Sequence, residues 1–143
     1  MNSKDLSLKL FIVLSRSYRS VFDQIEADIR QYCMNPTEFA VLELLYHKGE
    51  QPIQQIGKKV LLASGSITYV VDKLEKKGLL ERRSCPKDRR VTYAVITTPG
   101  KELMDDIFPK HKDAIDKIFN SVSDSEKETL ITLLKQIGIS NAL

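Results

Sequence analysis

The chain has 143 residues, of which 42% are hydrophobic and 29% are charged, and its formal net charge is +3. This length and composition are typical of one globular domain and exclude disordered and fibrous classes of protein. No apolar run approaches the ~20 residues of a membrane span, and the first residues, MNSKDLSLK, lack the apolar core of a signal peptide, so we expect a cytoplasmic protein.

A long helix is predicted near the N-terminus, over about residues 6–31, because apolar residues recur there at spacings of three and four. A helix of this length at the end of a small domain typically packs against a partner subunit. The apolar stripe consists of Leu10, Phe11, Leu14, Tyr18, Val21, Phe22, Ile25, Ile29 and Tyr32.

The second predicted helix, residues 36–47, begins at Asn35-Pro36-Thr37-Glu38. Asparagine at the cap, proline at the first helical position and glutamate at the third form a capping box. A shorter helix, residues 53–61, and a turn around Leu62 and Ala63 then lead to a fourth helix, which Gly78 ends.

The fourth helix carries two sets of residues on opposite faces. The apolar set, which we expect in the core, consists of Ile67, Val70, Val71 and Leu74. The polar set consists of Ser64, Ser66, Thr68, Tyr69, Asp72 and Lys73. Two helices joined by a tight turn, the second with a polar outer face, are typical of a helix-turn-helix that binds DNA.

A basic hairpin follows, with strands predicted at residues 79–84 and 91–96 and a loop that carries Lys87, Arg89 and Arg90. Residues 73–90 contain eight Lys or Arg and three acids, a net charge of +5. Such a run indicates either a surface that neutralises phosphates or a solvated helix end with a charged turn. Its position behind the polar helical face favours the DNA-binding interpretation.

The C-terminal region is predicted to contain two more helices. Thr98-Pro99 opens the fifth helix with a cap and a proline, and Pro109 should kink or divide it. Ser123 and Glu126 form a capping box for the sixth, which Gly138 closes. Residues 101–143 hold eight acids and six Lys or Arg, a net charge of −2, so this region does not face phosphate. The predicted fold is mainly α with a small β-hairpin wing, in which the first and last helical regions join two subunits.

The order of elements and several motifs resemble the MarR family of winged helix-turn-helix transcriptional regulators over essentially the whole chain. The most specific segments are VVDKLEKKGLLERR and PKDRRVTYAVITTPGKEL. Within the family, the segments NPTEFAVLELLYHKG and LLASGSITYVVDKLEKKGLL are most similar to the MhqR-type subgroup, which responds to quinones and hydroquinones.

The resemblance implies a single domain over residues 1–143, with a winged helix-turn-helix at about residues 36–97 and dimerisation helices at about residues 5–32 and 98–138. It implies a homodimeric repressor that reads an inverted-repeat operator in double-stranded DNA, with the fourth helix in the major groove and the wing toward the minor groove. In this arrangement Asp88 would orient the wing arginines. The implied DNA-contacting residues are Thr37, Gln54, Gln55, Ser64, Ser66, Thr68, Tyr69, Lys73, Arg89 and Arg90.

The resemblance also implies an effector cleft between the dimerisation helices and the winged domain. Its aromatic lining would suit a small phenolic or quinonoid ligand, although plain core packing explains the same residues. The residues concerned are Phe11, Leu14, Tyr18, Phe39, Leu42, Tyr46 and His111.

Two cysteines, Cys33 and Cys85, offer another route to a signal response. They are far apart in sequence, so a disulfide is not expected, and each is either inert or a sensor of oxidants and electrophiles. No spacing of His and Cys residues predicts a metal site, and no nucleophile motif or phosphate loop predicts an enzyme or a cofactor. Three hypotheses therefore stand: a ligand-responsive repressor, a thiol-based switch on the same scaffold and a nonspecific architectural DNA binder.

Overall fold

The computed structural model describes residues 1–60 and 64–138, with the backbone alone at residues 64 and 65. The predicted turn at Leu62 and Ala63 lies outside the described residues. The helices described are α1 (Ser3–Arg30), α2 (Pro36–Lys48), α3 (Ile53–Lys59), α4 (Ser64–Lys76), α5 (Thr98–Ile118) and α6 (Asp124–Gln136). The strands described are β1 (Gln51–Pro52), β2 (Leu80–Ser84) and β3 (Thr92–Ile96).

Side-chain caps fix where the helices begin. The predicted capping boxes of α2 and α6 are confirmed, since Asn35 accepts a hydrogen bond from the Glu38 N–H and Ser123 accepts one from the Glu126 N–H. Helix α1 begins three residues earlier than its apolar stripe predicts, at Ser3 instead of residue 6, because Asn2 caps it.

The predicted cap of α5 is wrong by one residue. Thr97, not Thr98, is the cap, because its hydroxyl oxygen accepts a hydrogen bond from the Gly100 N–H at 3.1 Å and donates one to the Gly78 carbonyl at 2.6 Å. The alternative that Pro109 divides this helix is also wrong, since α5 is continuous from Thr98 to Ile118. Ile107 and His111, both buried, anchor the helix on either side of the proline.

The wing belongs to a three-stranded antiparallel sheet with the order β1-β3-β2. The two predicted strands pair from Leu80 opposite Ile96 to Ser84 opposite Thr92. Strand β1, which was not predicted, pairs Gln51 with Ala94 and so ties the start of the helix-turn-helix to the wing. The predicted fold class is confirmed, with this strand as an addition.

The core lies mainly in the winged part of the chain. Helix α4 contributes its predicted apolar face, and helix α2 contributes Phe39, Val41, Leu42 and Leu45. Helices α1 and α6 bury little within one chain: Ile29 is the buried residue of α1, and α6 has none. Among the described residues, no helix combines the length and apolar character needed to cross a membrane. The large exposed apolar side chains of α1 and α6 include Leu6, Leu8, Leu10, Phe11, Val13, Tyr18, Leu130, Ile131, Leu133 and Ile137.

Candidate DNA-binding surface and effector cleft

Helix α4 presents a polar outer face. Ile67, Val70, Val71 and Leu74 are buried, as their spacing predicts. Ser66, Thr68 and Tyr69 are exposed, whereas the side chain of Ser64 lies outside the described residues. Because small hydroxyl side chains and a tyrosine can donate and accept hydrogen bonds, this face can contact base edges and phosphates.

Three further candidate DNA contacts lie on the helices next to α4. Thr37 is half-buried in the first turn of α2, and Gln54 and Gln55 are exposed at the start of α3. Both helices pack against α4. The fold therefore places these candidate phosphate contacts on the two helices that support the polar face.

The wing is organised by Asp88. Its carboxylate accepts hydrogen bonds from the Arg90 N–H at 3.0 Å and from Nε and Nη2 of Arg90 at 3.1 Å each. The side-chain hydrogen bond from Arg90, followed by the backbone one, holds the pKa of Asp88 below its ordinary value. Arg90 remains 90% exposed in this arrangement, so its charge faces solvent. Arg89 is also exposed, but it has no ion pair with Asp88.

Carboxylates neutralise much of the basic run in residues 73–90, which the count along the sequence did not anticipate. Lys73, Lys77, Arg82, Arg83 and Arg90 each lie within 4.0 Å of a carboxylate. Some of those acids are distant in sequence, so no local spacing could have revealed them. Within the described chain, the cations of this run without such a partner are Lys76, Lys87 and Arg89.

Glu38 of α2 is the buried acid of this surface, with 2% of its area exposed. Lys77, which directly follows α4, donates hydrogen bonds to its carboxylate at 2.8 Å and to the Cys33 carbonyl at 2.9 Å. Burial raises the pKa of Glu38, but the hydrogen bonds from Lys77 and from the Asn35 N–H, with the charges of Lys77 and Lys73, outweigh burial and lower it. The carboxylate is therefore ionised at neutral pH.

An apolar cleft of about 340 Å³ lies where α1, α2 and α5 meet. Of the predicted effector residues, Phe39 and His111 line it. Leu42 is fully buried in the core instead, and the hydroxyl of Tyr46 is hydrogen-bonded to Asp105. The complete lining is Phe22, Ile25, Ile29, Pro36, Phe39, Ala40, Glu43, Phe108, His111, Lys112 and Ile115.

Three predicted effector residues do not reach this cleft within one chain. Phe11, Leu14 and Tyr18 lie on the N-terminal part of α1, where they are 64%, 39% and 67% exposed. The N-terminal part of α1 buries little of its apolar surface among the described residues. Tyr18 stacks on Phe22, which lines the cleft, with ring centroids 5.8 Å apart.

His111 of the cleft lining is paired with a buried carboxylate. Nδ1 of His111 lies 2.7 Å from Oδ2 of Asp28, and the His111 ring lies 4.5 Å from the Phe39 ring. Burial, followed by the charge of Asp28 and a hydrogen bond to it, raises the pKa of Tyr32. Asp28 thus joins α1 to α5 next to the first turns of the winged part.

The cysteines are free and well separated in the fold. Cys33 is exposed and has a positive φ of 60°, in the turn between α1 and α2, and Cys85 is half-buried at the base of the wing. The described residues contain no group of three His, Cys, Asp or Glu side chains that could hold a metal ion.

Comparison with known proteins identifies the family. A model described as "MarR family" matches residues 34–92. The chain is 60% identical over 134 residues to the HTH-type transcriptional regulator MhqR of Bacillus subtilis, covering 94% of this chain and 92% of that protein. These matches confirm the resemblance drawn from the sequence motifs, including the subgroup.

Two solved structures show the same fold at low sequence identity. Sco3205, a MarR family regulator from Streptomyces coelicolor in complex with DNA, has a TM-score of 0.81 and 20% identity, with 96% of this chain and 90% of that chain covered. BpsR of Bordetella bronchiseptica, whose DNA binding is regulated by 6-hydroxynicotinic acid, has a TM-score of 0.78 and 21% identity, with 87% and 89% covered.

The relatives in this family are transcriptional regulators, which agrees with the expectation that the chain is not an enzyme. The exposed polar face of α4, the basic wing and the high identity to a regulator of known type all lead to one conclusion. This chain belongs to the MarR family of winged helix-turn-helix transcriptional regulators.

Proposed function

We propose that the protein is a homodimeric repressor that binds an inverted-repeat operator in the cytoplasm and is released from it by a small phenolic or quinonoid effector. The observation that carries this proposal is the position of the cleft. It lies between α1 and α5, which we assign to the dimer, and α2, which packs against the DNA-binding helix α4. A ligand in this place can favour one relative orientation of the two parts.

The dimer is supported by the exposed apolar side chains of the terminal helices. Phe11 is 64% exposed on α1 and Leu133 is 48% exposed on α6. Large exposed apolar side chains in such number typically mark a protein–protein interface. A second copy of the chain would cover it with the same residues, as a two-fold interface requires.

The DNA-contacting residues in this proposal are those of the polar α4 face, the first turns of α2 and α3, and the wing. Ser66, Thr68 and Tyr69 would face the major groove, and Arg89 and Arg90 would meet the backbone near the minor groove. Sco3205 shows that a protein of this fold binds DNA. The residue contacts assigned here are our own.

The chemistry of the cleft favours a ligand with a hydroxyl group on an aromatic ring. Nδ1 of His111 lies 2.7 Å from Oδ2 of Asp28, and when it donates to this carboxylate the other ring nitrogen, Nε2, can accept a hydrogen bond. Within the described chain Nε2 has no hydrogen-bond partner. A phenol or hydroquinone can donate its O–H to this nitrogen, while Phe39 and Phe108 contact its ring.

A titration of purified protein against DNA from its own promoter region, with random DNA as competitor, tests the proposal. We expect a preference for the promoter fragment of about 10³ or more at physiological salt and release by hydroquinone at lower concentration than by benzoquinone. Equal affinity for both DNAs would indicate an architectural binder. Specific binding that neither compound affects would retain the repressor and reject the effector class.

A thiol-based switch is the second candidate, and one observation favours it. The carbonyl of Cys33 accepts a hydrogen bond from Lys77, which also binds Glu38 beside the DNA-binding helix. Modification of this exposed thiol would disturb a turn that is connected to α4. Modification of Cys85 would act on the wing instead, because its N–H donates to the Val91 carbonyl at the base of the wing. If release by benzoquinone disappears in a Cys33→Ser/Cys85→Ser variant, the thiol mechanism replaces the cleft.

A further inference from the structure

Lys73 of α4 and Lys77, which directly follows α4, share the buried carboxylate of Glu38, but Lys77 is held more firmly. Lys77 is fixed by hydrogen bonds to Glu38 and to the Cys33 carbonyl. Nζ of Lys73 lies 3.8 Å from Oε1 of Glu38, and it forms no hydrogen bond within the described part of the chain. Lys73 is therefore attracted by the charge of Glu38 without being locked in place.

The surroundings of Lys73 place its charge at the edge of the DNA-binding face. Its side chain is 44% exposed, against 3% for that of Glu38. Its Nζ also lies 5.9 Å from the centre of the Tyr69 ring, which is exposed on the same helix. A cation in this position is accessible to a DNA phosphate, while Glu38 is not.

We propose that Glu38 is a positioning residue for DNA binding, which holds Lys73 against α2 in the free protein and loses it to a DNA phosphate when DNA binds, while Lys77 stays. This inference rests on the proposed DNA-binding role of α4. The cost of separating Lys73 from Glu38 lowers the affinity for DNA. The benefit is that the Lys73 side chain has one preferred orientation in the free protein and does not pair with other nearby anions.

The charge balance explains why only one lysine can leave. Glu38 is too buried to remain without a cation, because an unpaired buried carboxylate is strongly unfavourable. Lys77 supplies that cation through a 2.8 Å hydrogen bond. Transfer of Lys73 to a phosphate thus leaves the buried pair intact.

Binding of a short promoter duplex to four variants at several salt concentrations tests the inference. Glu38→Gln keeps a capping-box residue but removes the charge, and it should raise DNA affinity by about twofold to fivefold, the range of a partly exposed ion pair. Lys73→Ala should lower the affinity and reduce the slope of log affinity against log salt by about 0.9. In the Lys73→Ala background, Glu38→Gln should raise DNA affinity no more than a control variant that removes one negative charge elsewhere.

The control is Glu102→Gln, which removes one charge from an exposed residue of α5 that has no ion pair in the described chain. Three results would overturn the inference. Glu38→Gln could raise DNA affinity no more than the control does, it could raise it equally when Lys73 is absent, or it could lower it in both backgrounds. If the wild-type protein does not select the promoter duplex over random DNA, the proposed function fails instead.

A second measurement needs no change at Glu38. In nitrogen-15 spectra of the lysine ammonium groups, addition of the promoter duplex should shift the Lys73 signal and leave the Lys77 signal in place. Lysine-to-arginine variants assign the two signals. Movement of Lys77 alone, or of neither signal, would contradict the proposed exchange.

Discussion

Nδ1 of His111 on α5 lies 2.7 Å from Oδ2 of Asp28 on α1, and both side chains are almost completely buried. This contact fixes the two helices to each other beside the cleft. We expect Asp28→Asn to lower the free energy of unfolding by about 1 kcal/mol, because an amide oxygen is a weaker hydrogen-bond acceptor than a carboxylate inside the protein. Urea unfolding measures the change. Asp23→Asn, an exposed change on the same helix, should stay within about 0.5 kcal/mol of wild type.

Replacing Gly100 with alanine should destabilise the protein, which is the opposite of the usual effect of this change in a helix. In an open helix position, glycine to alanine stabilises by about 1 kcal/mol. Here an added Cβ would overlap the carbonyl oxygen of Leu79 and lie 2.8 Å from Cγ1 of Ile96. Gly100→Ala should therefore destabilise by about 1–3 kcal/mol, measured by thermal or urea unfolding. A neutral or stabilising result would show that α5 can move away from the wing, and Lys101→Ala is the exposed control.

The wing arginine should contribute charge without supporting the fold. Arg90 is 90% exposed, and its ion pair among the described residues is with Asp88 of its own loop. Arg90→Ala should reduce the salt slope of DNA binding by about 1 and leave unfolding unchanged. Anisotropy titrations at several salt concentrations measure it, with Lys110→Ala on α5 as a control for loss of a distant cation. An unchanged slope would remove Arg90 from the DNA contacts.

The dimer proposal predicts that one charge on the apolar face of α6 separates the subunits. Leu133→Asp should yield a monomer in sedimentation experiments, because an aspartate in an apolar interface loses its hydration without gaining a partner. DNA affinity should fall with it. Thr132→Asp places the same charge on the opposite face of α6 and should leave a dimer. A dimeric Leu133→Asp variant would exclude this face from the interface.

The lowered pKa of Glu38 predicts how stability depends on pH. A carboxyl whose pKa falls on folding stabilises the folded state above its unfolded value, and this contribution disappears as pH falls through the folded value. The difference in unfolding free energy between wild type and Glu38→Gln should therefore be largest at neutral pH and shrink below the ordinary value of 4.5. A difference that stays constant as the pH falls would mean that the Glu38 charge does not stabilise the fold.

Short-range sequence patterns predicted most of the helices and the two long strands. The caps at Asn35 and Ser123 and the apolar face of α4 depend on neighbours within one or two helical turns, so the sequence reveals them. Strand β1 escaped prediction because two residues, one of them Pro52, carry no strand periodicity. Its partner Ala94 is distant in sequence, and only the folded chain brings the two together.

The candidate site was less predictable because its electrostatics depend on distant partners. Lys77 and Glu38 are separated by 39 positions, and Arg83 and Glu50 by 33. A charge count therefore identified the basic region but overstated its free charge. The family resemblance placed Phe11 in the effector cleft, but Phe11 is 64% exposed, and an apolar stripe by itself does not show which of its residues face their own chain.

The order of the wing sheet has a consequence for aggregation. A sheet with free edges can recruit strands from other molecules, and charged or proline-containing edge strands prevent this. One edge here is β1, which is only two residues long and ends at Pro52. The other edge, β2, carries Glu81, Arg82 and Arg83. Both edges of the sheet are therefore poor templates for further strands, so this sheet is an unfavourable starting point for aggregation.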